Sequence, residues 1–343
     1  KTYSDSNEAY DAIRNMLSNL DDSYTRFLDP KEFNQMRIDT SGELTGVGIQ
    51  INKDIESDHI IIVSPVEGTP AFNAGIKAKD KILSIDGIST VGMNIDDAVK
   101  LIRGERGTKV KLEILRGSKS FFKVLLREKI EIKSVSSKVN QAKNGLLIGY
   151  IRIKQFNANA SKETRDAIKD LETKKVAGYI LDLRSNPGGL LESSIDISRH
   201  FINEGIIVST LSKDGLKEVK RGNGQALTKK PLIVLVNEGS ASASEIVSGA
   251  IKDNNRGKLV GKKTFGKGLV QSMRTLVDGS GLTVTVAKYL TPNGTDIHKF
   301  GIVPDIEVKM NISIIPKEIG TRKDNQYRAG EKELINIINR KNQ

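Results

Sequence analysis

One serine and one lysine lie in segments whose composition suits nucleophilic and acid–base chemistry. Ser242 is the middle serine of Ser240-Ala-Ser-Ala-Ser244, and Lys267 lies between two glycines in Thr264-Phe-Gly-Lys-Gly268. A serine hydroxyl is a weak nucleophile until a neighbouring base removes its proton. A lysine can be that base only when burial in an apolar pocket lowers its pKa from about 10.4 towards neutrality. The glycines and apolar residues around Lys267 permit such burial.

The segments around Ser242 predict where the serine lies in the fold. The apolar run 231–236 predicts a buried strand before it, and residues 244–251 predict a helix after it. Backbone N–H groups at such a helix start have no helical partner and can face a developing negative charge, as in an oxyanion hole. Each motif is weak alone, because the serine run could be a tightly packed helix start and Gly-Lys-Gly an ordinary surface turn.

Together the two motifs resemble the signature of the carboxyl-terminal processing proteases, also called tail-specific proteases, which are serine peptidases with a Ser-Lys dyad. The resemblance implies that Ser242 is the nucleophile and that Lys267 is the general base. It also implies that Gln271, in the same motif as the lysine, helps to hold the lysine.

A further match lies upstream, in the segment 178–189 that ends Asp-Leu-Arg-Ser-Asn-Pro-Gly-Gly. This segment predicts a buried strand that runs into a glycine-rich turn, where backbone N–H groups can approach a ligand closely. By resemblance, the N–H groups of Gly189 and Ala243 bind the oxyanion. The alternative is a simple tight turn before a helix. Asp182 and Arg184 are expected to brace the turn rather than to take part in the chemistry.

Residues 43–128 contain a succession of strands and one helix that is similar to a PDZ domain. Backbone N–H groups of the loop in such domains hold a terminal carboxylate, and the adjoining strand edge accepts an extended peptide. The alternative is a small β module that only docks against the protease. Arg103 is predicted to link ligand binding to gating of the active site. Gly46, Val47, Gly48 and Ile49 lie at the position of the carboxylate-binding loop of PDZ domains.

The remaining pattern predicts the fold class. From Gly145 onward, apolar strands alternate with amphipathic helices, which indicates an α/β core. The resemblance implies that this core is crotonase-like, with the β-rich PDZ domain inserted into it and helices before it. We therefore divide the chain into an N-terminal helical segment (1–42), a PDZ domain (43–128), a Ser-Lys protease core (129–310) and a C-terminal tail (311–343).

Length and composition limit the other classes of protein that this chain could belong to. With 343 residues, the chain is longer than one typical domain, and it has no cysteine for disulfides or thiol chemistry. No run of 18 or more apolar residues predicts a membrane-spanning helix. The start at Lys1, without Met or a leader, suggests a mature or trimmed product. The resemblance implies export, to a periplasm or to the thylakoid lumen.

The net charge of +12 raises the question of nucleic-acid binding. We expect none, because the basic residues are spread over the chain, there is no Trp, and no nucleic-acid-binding motif is present. Attraction to acidic membrane surfaces or acidic proteins stays open, as does homo-oligomerisation. We expect no metal and no cofactor, since the histidines lack the paired spacing of a zinc site. These histidines are His59, His200 and His298.

These patterns predict a serine endopeptidase that recognises the C-terminal tail of protein substrates through its PDZ domain and cleaves near that terminus. The expected substrates are proteins or peptides with free, apolar C termini. One alternative is a catalytically inert, PDZ-bearing adaptor that binds C termini. Another is a crotonase-like acyl enzyme acting on thioesters, which the PDZ-like insertion and the Ser-Lys motifs disfavour.

Overall fold

The computed structural model describes residues 5–54 and 57–341, so that the ends of the first and last predicted segments, 1–4 and 342–343, lie outside the described residues. The chain divides into two compact units. The larger unit combines the chain up to Gly42 with the chain from Lys133 onward, and the smaller unit is Glu43–Ile132. The smaller unit therefore extends beyond residue 128, where the sequence places its end.

The elements are numbered in chain order over these described ranges. The helices are α1 (Ser6–Ser18), α2 (Pro30–Ser41), α3 (Pro70–Asn73), α4 (Ile95–Ile102), α5 (Ala160–Thr173), α6 (Leu191–Phe201), α7 (Ala243–Asp253) and α8 (Asn325–Lys341), with a 3₁₀ turn at Pro316–Glu318. The strands are β1 (Arg26–Leu28), β2 (Glu43–Gly46), β3 (Ile49–Lys53), β4 (Ile60–Pro65), β5 (Lys81–Ile85), β6 (Ile88–Ser89), β7 (Lys109–Arg116), β8 (Lys119–Leu126), β9 (Glu128–Glu131), β10 (Val135–Gln141), β11 (Leu147–Ile153), β12 (Gly178–Asp182), β13 (Ile206–Ser212), β14 (Lys217–Arg221), β15 (Leu232–Val236), β16 (Lys258–Gly261), β17 (Leu269–Thr275), β18 (Gly281–Leu290) and β19 (Ile306–Glu307).

The central sheet of the larger unit has the strand order β10-β11-β12-β15-β16-β19. Only β10 runs antiparallel to its neighbour; the other pairs are parallel. Strands β12 and β15 are buried along their whole length, as expected of parallel strands that are covered on both faces. Alternate residues serve different cores: Leu181 and Val234 pack with α5, α6 and α7, whereas Ile180 and Ile233 pack with α8.

A second sheet of the larger unit carries the segments that flank the lysine motif. Its strand order is β1-β18-β13-β14, and β17 also pairs with β18. Strand β17 begins two residues after Lys267, and β1 begins two residues after Tyr24. The two strands pair with overlapping parts of β18, so that the chain near residue 24 and the chain near residue 267 belong to one sheet.

The smaller unit is a β-rich domain with its own core. A sheet of order β3-β4-β5-β7-β8, with β6 on β5, surrounds buried residues that include Ile60, Ile82 and Leu112. The strands at its two ends, β2 and β9, pair with each other. The entering and leaving chains therefore lie side by side, as is expected of a domain inserted within another.

The C-terminal segment differs from the separate tail that the sequence indicates. It contains helix α8, and Tyr327, Leu334 and Ile338 bury one face of this helix against the central sheet. The helix is otherwise rich in Lys, Asn and Glu. Because its apolar stripe is narrow and most of its residues are polar, the buried face of α8 is hard to recognise in the sequence.

We expect Leu334→Ala to lower the free energy of unfolding by about 2 to 5 kcal/mol, because Leu334 is fully buried on the sheet and its truncation leaves a cavity. Lys332→Ala, on the exposed face of the same helix, should change it by less than about 0.5 kcal/mol. Urea denaturation of both variants measures these values. Equal stability of the two variants would show that α8 is not part of the packed core.

Candidate active site

Ser242 occupies a sharp turn between strand β15 and helix α7. Its φ of 54° and ψ of −113° lie outside the regions that residues with a Cβ ordinarily adopt. Such a conformation costs about 1 to 3 kcal/mol and persists only where the surroundings enforce it. A serine on a strained strand-to-helix turn is the arrangement that exposes a nucleophile at the end of a sheet.

The glycine-rich turn after β12 lies directly against Ser242. A methyl group built on Gly188 would lie 2.9 Å from Ser242 Cβ and 3.1 Å from the Ala243 nitrogen, so the approach requires glycine. Asn186 fastens the two turns together. Its side-chain oxygen accepts a hydrogen bond from the Gly188 N–H (2.9 Å), and its carbonyl accepts one from the Ala241 N–H (3.0 Å).

Two backbone donors beside Ser242 have no protein acceptor within the part of the chain that the structure describes. These are the N–H groups of Gly189 and Ala243. On either side of the Gly189 N–H, the Gly188 carbonyl accepts from Phe156 and the Leu190 N–H donates to Phe156. Ala243 is the first residue of α7, where N–H groups have no partner within the helix. The turn therefore presents unpaired donors of the kind that bind an oxyanion.

A buried carboxylate joins the serine turn to the lysine loop. Glu245 Oε2 accepts hydrogen bonds from the backbone N–H groups of Ser242 and Lys267, each at 2.9 Å. Its Oε1 accepts from the Gly266 N–H (2.8 Å) and from the Thr264 hydroxyl (2.6 Å). The sequence analysis did not give Glu245 this role, although the Ser-x-x-Glu spacing from Ser242 to Glu245 is that of a helix capping box.

Tyr289 connects the same two segments from strand β18. Its hydroxyl lies within hydrogen-bonding distance of the carbonyl oxygens of Ser242 (3.0 Å) and Lys267. Burial, and after it the nearby charge of Glu245, raises the pKa of Tyr289 well above its usual value. The phenol therefore remains protonated and available as a donor. This role of Tyr289 was not predicted from the sequence.

The lysine loop is closely packed through its glycines. A methyl group on Gly266 would lie 2.9 Å from the Gly301 nitrogen, and one on Gly268 would lie 2.8 Å from the His298 nitrogen. Lys267 itself is partly buried. Burial lowers the pKa of its amine, and the nearby charge of Arg26 lowers the pKa further.

The Lys267 amine lies 4.8 Å from the centre of the Tyr24 ring. In the ranges 5–54 and 57–341, no hydrogen bond joins this amine to the Ser242 hydroxyl. Tyr24 also lines a cleft of about 900 Å³ that extends along residues 20–28 and past Leu269. The structure thus brings the backbones of Ser242 and Lys267 together and places the amine over the ring of Tyr24.

Gln271 lies on β17 opposite Thr285 of β18. The nitrogen of its side-chain amide is buried and has no hydrogen-bond partner in the described part of the chain. The structure records no hydrogen bond between this amide and Lys267 among those residues, so the predicted support of the lysine stays a prediction.

The predicted carboxylate-binding loop joins β2 to β3 in the smaller unit. Its shape requires glycine at position 48, where φ is 78° and an added methyl group would overlap the Thr69 side chain. Val47 is buried in the core of the unit, and its carbonyl accepts a hydrogen bond from the Ala71 N–H (2.9 Å). Strand β3 pairs only with β4 within the described residues, which leaves its other edge open to an extended peptide.

Arg103 follows helix α4 and lies beside this loop. A methyl group on Gly46 would lie 4.0 Å from Arg103 Cγ. The loop and the arginine are therefore neighbours within the smaller unit, as a link between peptide binding and Arg103 requires.

In the described part of the chain, no group of three or more His, Cys, Asp or Glu side chains could hold a metal ion. Among the helices that the structure describes, none has the length and apolar character needed to span a membrane.

Comparison with known proteins identifies the family. The sequence model of peptidase family S41 matches residues 147–308, and that of the PDZ domain matches residues 61–116. The carboxyl-terminal-processing protease of Synechocystis sp. (strain ATCC 27184 / PCC 6803 / Kazusa) is 47% identical over 324 residues, which cover 94% of this chain and 76% of that protein. Carboxyl-terminal-processing peptidase 2, chloroplastic, of Arabidopsis thaliana is 41% identical over 308 residues, covering 87% and 60%.

A solved structure agrees with these sequence matches. The photosystem II D1 C-terminal processing protease is 37% identical, with a TM-score of 0.55 over 90% of this chain and 84% of that one. The fold and the site therefore define an α/β serine-type peptidase that carries a PDZ domain. The chain belongs to peptidase family S41, the family of the carboxyl-terminal-processing proteases, which confirms the predicted family and activity.

Proposed function

We propose that this protease cleaves protein substrates near their C terminus with a dyad of Ser242 and Lys267. The main support for the proposal is that the backbone N–H groups of Ser242 and Lys267 donate to the same oxygen, Glu245 Oε2. Because both backbone nitrogens lie 2.9 Å from one oxygen, they can be no further apart than twice that distance. A nucleophile and a base separated along the sequence are thereby held as neighbours.

The chemistry follows from the groups around the dyad. The neutral Lys267 amine takes the proton of the Ser242 hydroxyl as its oxygen bonds to the scissile carbonyl carbon. The N–H groups of Gly189 and Ala243 stabilise the resulting oxyanion. The lysine then gives its proton to the departing amine. A water molecule, deprotonated by the same lysine, then attacks the acyl carbon, and the lysine returns this proton to the Ser242 oxygen as the acyl group leaves.

Because the Lys267 amine lies over the Tyr24 ring, the proposed chemistry requires a side-chain movement first. The lysine side chain must turn from the Tyr24 ring towards the Ser242 hydroxyl, while Glu245 keeps the lysine backbone in place. Catalytic hydrogen bonds are often long or unformed before substrate binds. We infer that Gln271, with its unpaired amide, supports the amine in the turned position.

The smaller unit supplies the proposed selectivity. We infer that the loop formed by Gly46, Val47, Gly48 and Ile49 binds the terminal carboxylate and that the open edge of β3 pairs with the substrate chain. Apolar residues of α4, which include Ala98 and Ile102, favour an apolar last side chain. Arg103, beside Gly46, would link peptide binding at this loop to the state of the active site. We also propose a crotonase-like topology for the larger unit and an exported location, in a periplasm or the thylakoid lumen.

We expect Ser242→Ala and Lys267→Met each to lower kcat/KM for peptide cleavage by about 10⁴-fold or more, because each removes a reacting group. The control is Lys263→Met, at an exposed lysine of the same loop, which should stay within about twofold of the unchanged protein. Steady-state kinetics with a peptide substrate and circular dichroism of each variant provide the measurements. A folded Ser242→Ala or Lys267→Met variant that retains cleavage contradicts the dyad.

The pH dependence of kcat/KM should reveal the pKa of the Lys267 amine. An ammonium cannot accept the serine proton, and burial lowers the pKa of Lys267, so kcat/KM should rise with pH through an apparent pKa below that of free lysine. Arg26→Gln removes the neighbouring cation and should move the profile to higher pH. Rates of the folded protein that are flat from pH 5 to 9 would exclude a lysine base.

Tail recognition is tested with one protein substrate that has an apolar C terminus, prepared with a free carboxylate and with an amide. We expect cleavage of the free form to be faster by about tenfold or more, because the amide removes the charge that the loop binds. Both substrates are followed by mass spectrometry, which also locates the cut. Equal cleavage of the two substrates would contradict carboxylate binding by the loop. Binding of the free form without cleavage would indicate an inert adaptor.

A further inference from the structure

A buried ionic cluster lies beneath the glycine-rich turn and is not used in the mechanism above. The Arg184 guanidinium binds Asp182 on one side, with Nε at 2.9 Å from Oδ1 and Nη2 at 2.5 Å from Oδ2. On the other side it binds Asp324, with Nη1 at 3.0 Å from Oδ1 and Nη2 at 2.6 Å from Oδ2. All three side chains are at most 2% exposed.

Asp324 belongs to the C-terminal segment and is itself firmly held. It directly precedes helix α8, and its Oδ1 accepts from the N–H groups of Gln326 (3.1 Å) and Tyr327 (3.0 Å). Its Oδ2 accepts from the Gly320 N–H (2.9 Å). Gln326 adds a second contact to the same guanidinium, with its Oε1 at 3.0 Å from Arg184 Nη1. These residues lie beyond the region 147–308 that the family model matches.

Arg184 lies at the start of the turn that ends with Gly188 and Gly189. The next residue, Ser185, has a φ of 57°, and its N–H donates to the Asn237 side chain at 2.7 Å. Asn186, one residue further, holds both Gly188 and the chain before Ser242. A shift of Arg184 would therefore be transmitted through Ser185 and Asn186 to Gly188, and from there to the unpaired N–H of the next residue, Gly189.

We propose that Asp324 is a positioning residue for the oxyanion-binding turn. Through Arg184 it holds the backbone from residue 184 to Gly189, so that the Gly189 N–H stays aimed at the carbonyl of the substrate. The proposal rests on the roles proposed above for Ser242 and Gly189. It assigns part of the catalytic geometry to the C-terminal segment, which the sequence analysis left without a role.

A purely stabilising role explains the cluster less well. Two carboxylates around one guanidinium leave an excess negative charge in a buried site, and buried ion pairs often add no more stability than apolar residues of the same size. What the cluster does provide is direction, because a guanidinium bound on both sides by paired hydrogen bonds has one allowed orientation.

The test is Asp324→Asn in the full chain. The amide keeps the shape of the carboxylate but removes its charge and replaces one acceptor with a donor that faces other donors. We expect kcat for peptide cleavage to fall about 10- to 100-fold with KM within about twofold, since a misplaced oxyanion donor affects the transition state and not the ground state. Affinity for a peptide aldehyde, whose hemiacetal oxygen occupies the oxyanion site, should fall with kcat. Affinity for the matching peptide amide should not.

The matched control is Leu334→Ala, which destabilises the same helix away from the cluster and should leave kcat unchanged at a temperature where the protein is folded. A folded Asp324→Asn variant whose kcat and aldehyde affinity stay within twofold would overturn the proposal. If Asp324→Asn does not fold, Gln326→Met decides, since it removes one acceptor from the same guanidinium. Its kcat should fall by about 3- to 10-fold, and a value within twofold of the unchanged protein would overturn the proposal.

A parallel Ser242→Ala sample separates this inference from the proposed dyad. If Ser242→Ala still cleaves the peptide, the assignment of the nucleophile is wrong, and this inference, which rests on it, is withdrawn as well. If Ser242→Ala is inactive and Asp324→Asn is unaffected, only the positioning role of Asp324 is wrong.

Discussion

The carboxylate of Glu245 is the interaction on which the site depends. A buried polar group is tolerated when hydrogen-bond partners surround it, and here three backbone N–H groups and the Thr264 hydroxyl donate to its two oxygens. Because two of those N–H groups belong to Ser242 and Lys267, one side chain limits the distance between the serine turn and the lysine loop. Tyr289 reinforces the connection by binding their carbonyl groups.

This connection acts on the backbone and leaves the reacting side chains free. The Lys267 amine can lie over Tyr24 while the lysine backbone remains bound to Glu245. The glycine turns have the complementary property. Gly188 and Gly266 allow backbone segments to approach more closely than any larger residue would permit. The site thus combines a rigid backbone frame with a lysine side chain that, in the proposed mechanism, turns towards Ser242, so that the proposed motion is confined to one side chain.

The sequence predicts those parts of this frame that have a local signal. Strand β15 has the predicted position because the apolar run Leu232–Val236 has the form of a doubly covered parallel strand, and α7 begins directly after Ser242, close to its predicted start at Ser244. The partners of Arg184 could not be predicted in the same way. Asp324 lies 140 residues away along the chain, and no periodicity connects the two. The Tyr24 ring over which the Lys267 amine lies is further still from the lysine along the chain, at 243 residues.

The contacts of Arg184 and α8 also bear on where the protease ends. A boundary at residue 310, as the sequence indicates, would leave Arg184 with Asp182 as its one carboxylate partner among the residues that the structure describes, and would remove α8 from the central sheet. One buried partner would be lost, and the apolar face formed by Ile180, Ile233 and Leu235 would be uncovered. The lost partner belongs to the turn that ends at Gly189, and the uncovered face belongs to β12, which leads into this turn, and to β15, which leads into the Ser242 turn. The C-terminal segment is therefore a structural requirement of the glycine turn, although no residue of it lies in the dyad.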